Sequence, residues 1–287
     1  MTRRSAIQLL GGLLAGTQMG HGFGLWPRRT KVVLCFDGSK SHEKLEDIVK
    51  FGDELTQLNG RPARFTMYAN STYWFTGGLG TPEIGYGGSK ADIAKRLRLT
   101  QAILDAGHEL GSHTVRHCNG SQWSYAQWDK ELSWFDQHVA ERFTAQDGSP
   151  YKCVGFRAPY LAINDELYKA LRDNGYVYDF SQVGRAPEYR HDVLTLSVPS
   201  WKLANGQYSI GMDYNWMVDG VSNAEVLRQL WGEASQKVVF LSLHFADYRA
   251  QGEQQNYYDL VKEFCRECAR QDRFEFVTMK DYVEGIR

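Results

Sequence analysis

Two histidines four positions apart, in Gly111-Ser112-His113-Thr114-Val115-Arg116-His117, put metal-ligating side chains at a spacing that can do chemistry. On one face of a helical turn both imidazoles would reach the same ion, as two ligands of one metal must. Asp37, Arg157 and His244 lie elsewhere in the chain but share a feature with His113: each directly follows a run that reads as a β-strand. In a parallel barrel, residues so placed gather at the C-terminal rim, where such folds carry their active sites. Taken singly, each has a plainer reading: Asp37 as a turn residue or helix cap, His244 as a core histidine, Arg157 as an ion-pair partner. Four such residues at four strand ends favour one shared site. Other chemistries find no support. His108-Glu109 does not open a zinc-protease motif, because the next histidine after Glu109 comes four residues later where that motif requires three, and there is no G-x-S-x-G, phosphate loop or G-x-G-x-x-G. Cys265 and Cys268 form a C-x-x-C inside a segment that reads as a helix, with no second ligand pair, so burial is the expected role.

Holding these residues requires strands that alternate with helices. The apolar run 31–36, ending in Asp37-Gly38-Ser39, has the pattern of a strand covered on both faces. A helix follows through Leu58 and closes at Asn59-Gly60. Further strands are expected over 63–68, 109–112, 153–156, 176–178, 193–198, 237–243 and 274–277. Helices are expected over 91–106, 123–143, 164–173 and 223–234, with one more before the last strand. The stretch 70–89, rich in glycine and aromatics, is too long for an idle connection. Between 184 and 219 the pattern is irregular apart from one strand. Alternation of this kind indicates an α/β fold with a mostly parallel sheet, of a length that suits a barrel.

With 287 residues, 43% hydrophobic and 13% aromatic, the chain can bury a full core without disulfides, and its five cysteines cannot all pair. Its 33 basic against 34 acidic residues offer no broad cationic field for nucleic acid or an anionic membrane. The N-terminus stands apart: Thr2-Arg3-Arg4-Ser5 precedes a modest apolar run beginning at Ala6. This is the layout of an export signal over 1–27, and the paired arginines suggest the twin-arginine route to the periplasm or cell surface. Six glycines between Gly11 and Gly24 disfavour a stable membrane-spanning helix there. Residues 28–287 then form a single catalytic domain.

Four strings occur in order: Val32-Val33-Leu34-Cys35-Phe36-Asp37-Gly38, then Gly107-His108-Glu109-Leu110-Gly111-Ser112-His113-Thr114-Val115-Arg116-His117, then Phe156-Arg157-Ala158-Pro159-Tyr160, and Leu241-Ser242-Leu243-His244. Together they resemble the motif series of the NodB-type polysaccharide deacetylases. The resemblance implies a distorted (β/α) barrel, a divalent metal that is commonly zinc, and an N-acetylated polysaccharide such as peptidoglycan or chitin as substrate. Residue by residue it implies His113 and His117 as metal ligands, Asp37 as general base and Arg157 as the group orienting it. The Tyr160 backbone N–H would hold the oxyanion and His244 would protonate the leaving amine. An acidic residue tuning that histidine is expected at Asp213, with Asp219 second.

The first motif departs from the family, which usually reads Phe-Asp-Asp-Gly, with the second aspartate on the metal. Here Phe36-Asp37-Gly38-Ser39 lacks that ligand. Either Asp37 coordinates the metal and another group is the base, or Asp37 is the base and the metal has two protein ligands and is held weakly. Loss of turnover, leaving a sugar-binding protein, is the competing reading, and an O-acetyl esterase is a nearer one. The stretch from Trp74 to Gly80, with Tyr86, Trp123, Trp201 and Trp216, offers aromatic faces for sugar rings, although such density more often means core.

Overall fold

The computed structural model describes residues 29–76 and 88–286. Its organising strand is β1 (Thr30–Asp37), in which alternate side chains serve two cores. Val32, Leu34 and Phe36 face outward, packing with Leu45, Ile48, Phe51 and Leu55 of helix α1 (His42–Asn59), while Val33 and Cys35 face an inner cluster. A strand buried on both faces has no polar side to display, which is why its sequence is a continuous apolar run.

Around β1 the sheet grows by parallel pairing. On one side lies β10 (Val238–His244); on the other, β2 (Thr66–Ala69) takes its C-terminal half and β11 (Phe274–Phe276) its N-terminal half. From β2 the order runs through β3 (Glu109–Ser112), β4 (Gly155–Phe156), β5 (Tyr178–Val183) and β7 (Val193–Val198), with β6 (Glu188–Arg190) antiparallel at the edge. Parallel neighbours need crossovers, here made in part by α1, α2 (Lys90–Asp105), α3 (Tyr125–Ala140) and α4 (Asp165–Asp173). Ser41, Ser89 and Asn164 cap α1, α2 and α4 by accepting backbone N–H bonds, and Gly60 ends α1 at φ 71°.

The curled sheet is a distorted half-barrel. Tyr68, Tyr178, Phe180, Leu196 and Val198 fill its interior, and Met279 and Val283 of α8 (Met279–Ile286) pack into the same inner cluster. Between β7 and β10 the barrel is not closed by a ladder. A two-stranded hairpin of β8 (Ser200–Lys202) and β9 (Tyr208–Ile210), then α5 (Asp213–Val218), lie between them in sequence, and one isolated bridge joins Met212 to Ser242. α6 (Asn223–Glu233) and α7 (Tyr257–Ala269) flank β10 in sequence.

The elements expected from sequence largely appear, with shifted strands at 66–69 and 178–183. The region 184–219 contains more order than its sequence suggested, because strands of three residues and a six-residue helix carry too few repeats for periodicity to register. All five cysteines are free, with Cys265 and Cys268 buried inside α7. The proposed signal 1–27 lies outside the described residues.

Candidate active site

Strand periodicity places the site. Along β1 the inward residues are Val33, Cys35 and therefore Asp37; along β10 they are Phe240, Ser242 and therefore His244. Asp37 and His244 are register partners across the two strands. His113 follows β3 and Arg157 follows β4, so all four residues meet at the C-terminal rim; Asp37, His113 and His244 line a pocket of about 510 Å³ together with His117, Tyr160 and Tyr214, and Arg157 is buried behind Asp37.

Arg157 is fully buried, and every donor it uses is satisfied by the barrel. Nη1 donates to Asp37 Oδ1 at 2.7 Å, Nη2 to Ser242 Oγ at 3.0 Å and Nε to the Phe180 carbonyl at 3.1 Å. The rings of Tyr68 and Phe180 lie 4.6 and 4.4 Å from the guanidinium. Burial alone would oppose ionisation of Asp37, but the charge of Arg157, aided by His113 and His244, outweighs it and holds the carboxyl below its usual range. Asp37 is therefore a carboxylate at neutral pH, able to accept a proton.

His244 is arranged in the opposite sense. Asp213, at the start of α5 and fully buried, accepts from His244 Nδ1 at 2.6 Å and from the His244 backbone N–H at 2.8 Å. Burial would favour neutral imidazole, yet the Asp213 charge and hydrogen bond outweigh it and raise the pKa above the ordinary 6.5. The ring is thus biased toward imidazolium, with Nδ1 committed to Asp213 and Nε2–H available as an acid. Asp219 is occupied elsewhere, accepting from Ser209 Oγ at 2.6 Å.

The two spaced histidines are brought together differently from the expectation. The segment 113–117 is not a helical turn: Thr114 and His117 have φ of 66° and 56°. Left-handed backbone at non-glycine residues has to be held by its surroundings. Here Asn70 Nδ2 donates to the His113 carbonyl, Thr114 Oγ1 accepts the His117 N–H at 3.1 Å, and Glu131 of α3 accepts the Arg116 N–H at 2.8 Å. The rings end with centroids 4.9 Å apart, close enough to share a ligand. His113 Nδ1 donates to the Arg157 carbonyl at 2.8 Å, leaving Nε2 as its lone-pair atom, and burial pushes its pKa down to about 3.

A third donor does not join them. Among the described residues no three His, Cys, Asp or Glu side chains are grouped to hold a metal ion, and one Asp37 oxygen is given to Arg157. Two imidazoles do not complete the three-ligand set of a tightly held catalytic zinc.

Tyr160 and Leu161 follow as consecutive residues with φ of 58° and 54°, and the Tyr160 ring packs 4.9 Å from His117. Of the aromatic faces expected to carry sugar, Trp74, Trp201 and Trp216 are core residues, the last two stacked on each other at 4.9 Å. Trp123 is half-buried against that core; Gly77–Gly80 and Tyr86 lie outside the described residues. The pocket's aromatic walls are instead Tyr160, Tyr214 and Tyr248. Sequence reasoning missed the last two, whose one signal is proximity to Asp213 and His244. Ser242, Asn70 and Glu131 were also missed, since their roles depend on contacts across the fold.

A family model described as polysaccharide deacetylase matches residues 27–178, just over half of the chain. The chain belongs to the polysaccharide deacetylase family. Members act as hydrolases on acetylated polysaccharides, generally with a divalent metal. No curated protein matches the sequence. Solved structures share the fold at low identity. One, from Mycobacterium smegmatis and assigned to the polysaccharide deacetylases, has 16% identity over 92% of this chain and 93% of its own, with TM-score 0.62. A peptidoglycan N-acetylglucosamine deacetylase has 16% identity over 89% of each chain, with TM-score 0.54. A mutant of a CE4 family pseudoenzyme has 12% identity over 90% of this chain and 68% of its own, also with TM-score 0.54.

Proposed function

We propose that this deacetylase removes N-acetyl groups from amino sugars of a cell-wall-type polysaccharide, peptidoglycan or chitin-like. The observation that carries the reading is the opposed pairing of two register partners, one with a cation and one with a carboxylate. Asp37 is held as carboxylate by Arg157, and His244 is held toward imidazolium by Asp213, both lining one pocket. Paired groups whose environments push their pKa values apart are base and acid. Asp37 takes the proton of the attacking water as its oxygen bonds to the acetyl carbon. His244 Nε2–H then gives its proton to the nitrogen as the C–N bond breaks, leaving acetate and a free amine; without that acid an amine leaves poorly. The Tyr160 N–H is assigned to the oxyanion.

His113 and His117 are assigned to a divalent ion, zinc by preference, which two imidazoles would hold weakly and exchangeably. The same shortage of donors favours the second reading, a sugar-binding protein without turnover. We also assign 1–27 to export; among the described residues no helix is long and apolar enough to cross a membrane.

The deciding experiment measures acetate release from N-acetylated peptidoglycan and chitin oligomers, and from O-acetylated glycans, with and without chelator and added zinc. Release from the N-acetylated substrates that fails in His244→Ala supports the hydrolase. Release only from O-acetylated glycans makes it an esterase, and binding without release makes it a sugar-binding protein. Fractionating cells that express the full chain tests export.

A further inference from the structure

The outer face of the β8–β9 hairpin is a surface that catalysis leaves unused. In β9, Ser209 is buried, while Tyr208 and Ile210 share the opposite face. Ile210 lines the pocket, and Tyr208 lies about 7 Å farther along the strand on the same face. Tyr208 is 67% exposed. Register pairs Tyr208 with Lys202 and Ile210 with Ser200, which brings exposed Lys202 beside the ring. The hairpin's other face is anchored, Trp201 stacking on Trp216 and Ser209 bonding to Asp219. A tyrosine exposed on a rigid backing offers an apolar ring to the face of a sugar, with polar groups at its edge for the hydroxyls. Tyr160 and Tyr214, also exposed, carry aromatic surface on the pocket itself.

We propose that Tyr208 and Lys202 form a second sugar subsite, taking the unit next to the one whose acetyl group enters the pocket. This rests on the deacetylase reading and adds which residues of this chain take the neighbouring unit of the polymer. The test is calorimetric titration of the full chain with N-acetylglucosamine oligomers of increasing length, with acetate release followed in parallel. Tyr208→Ala is expected to weaken binding of the longest oligomers about tenfold, equivalent to ~1.4 kcal/mol, with a deficit that shrinks as they shorten. Tyr208→Phe should restore binding. Tyr189→Ala, which removes another exposed tyrosine outside the pocket lining, should match wild type. An equal loss at every length, no loss at any, or no oligomer binding by wild type would overturn the subsite. Length-dependent loss without acetate release keeps the subsite and removes the hydrolase; acetate release without length dependence does the reverse.

Discussion

Arg157 shows how much a single buried charge can organise. Its guanidinium ties Asp37, Ser242 and the Phe180 carbonyl, and its own carbonyl fixes the His113 tautomer. Removing one partner of a buried ion pair strands the other, at a cost of about 3–5 kcal/mol. Arg157→Met should therefore lower the denaturation midpoint as well as activity. Asp37→Asn, which keeps shape and loses the base, should lower kcat by roughly 10²–10⁴-fold with little change in KM. The pH profile follows from opposed shifts. With Asp37 as the proposed base, its carboxyl held below the ordinary 3.8 puts the acid limb at low pH. With His244 as the proposed acid, its pKa raised above 6.5 lets activity persist to neutrality and fall as pH rises through that raised pKa. Asp213→Asn should move the falling limb down, measured as kcat/KM against pH.

At the scale of elements, the strained turn 113–117 depends on α3. The Glu131 carboxylate is fully buried and its acceptors go to Arg116, one oxygen to the backbone N–H at 2.8 Å, the other to Nε and Nη2 at 3.0 and 2.8 Å. Glu131→Ala should reduce kcat/KM by more than about tenfold, since small displacements of catalytic groups are costly. Glu131→Gln, which keeps an acceptor for the N–H, should recover part of it, and zinc affinity by titration should follow the same order. The join between β2 and β3 makes a separate prediction. The Phe65 N–H donates to His108 Nδ1 at 3.0 Å, so that imidazole is neutral, and burial, with Arg64 nearby, pushes its pKa down to about 4. The unfolded chain takes up a proton near 6.5 that the folded one resists. The His108 contribution to stability is therefore fully present above pH 6.5 and is lost as pH falls toward 4, by up to about 3 kcal/mol. Urea titrations at pH 7 and 4.5 of wild type and His108→Gln should show the decline reduced in the variant.

For the whole molecule, the half-barrel works because its interior is filled below the rim. A Cβ at Gly155 would lie 2.0 Å from the Tyr178 hydroxyl, so Gly155→Ala should destabilise by about 1–3 kcal/mol, read from the urea midpoint at unchanged slope. The sequence by itself determined the parallel α/β plan, since continuous apolar strands and capped helices are local patterns. It also determined that Asp37, His113, Arg157 and His244 share a rim, because strand ends in a parallel sheet all point one way. Only the tertiary structure decided how His113 and His117 meet, where four-residue spacing suggested a helix and side chains of α3 and Asn70 hold a left-handed turn instead. It also decided that Trp201 and Trp216 are core while Tyr214 and Tyr248 line the pocket. The physical reason is range: local periodicity is written in neighbouring residues, whereas exposure and hydrogen-bond partners are set by segments more than a hundred residues apart, as Arg157 and Asp37 are.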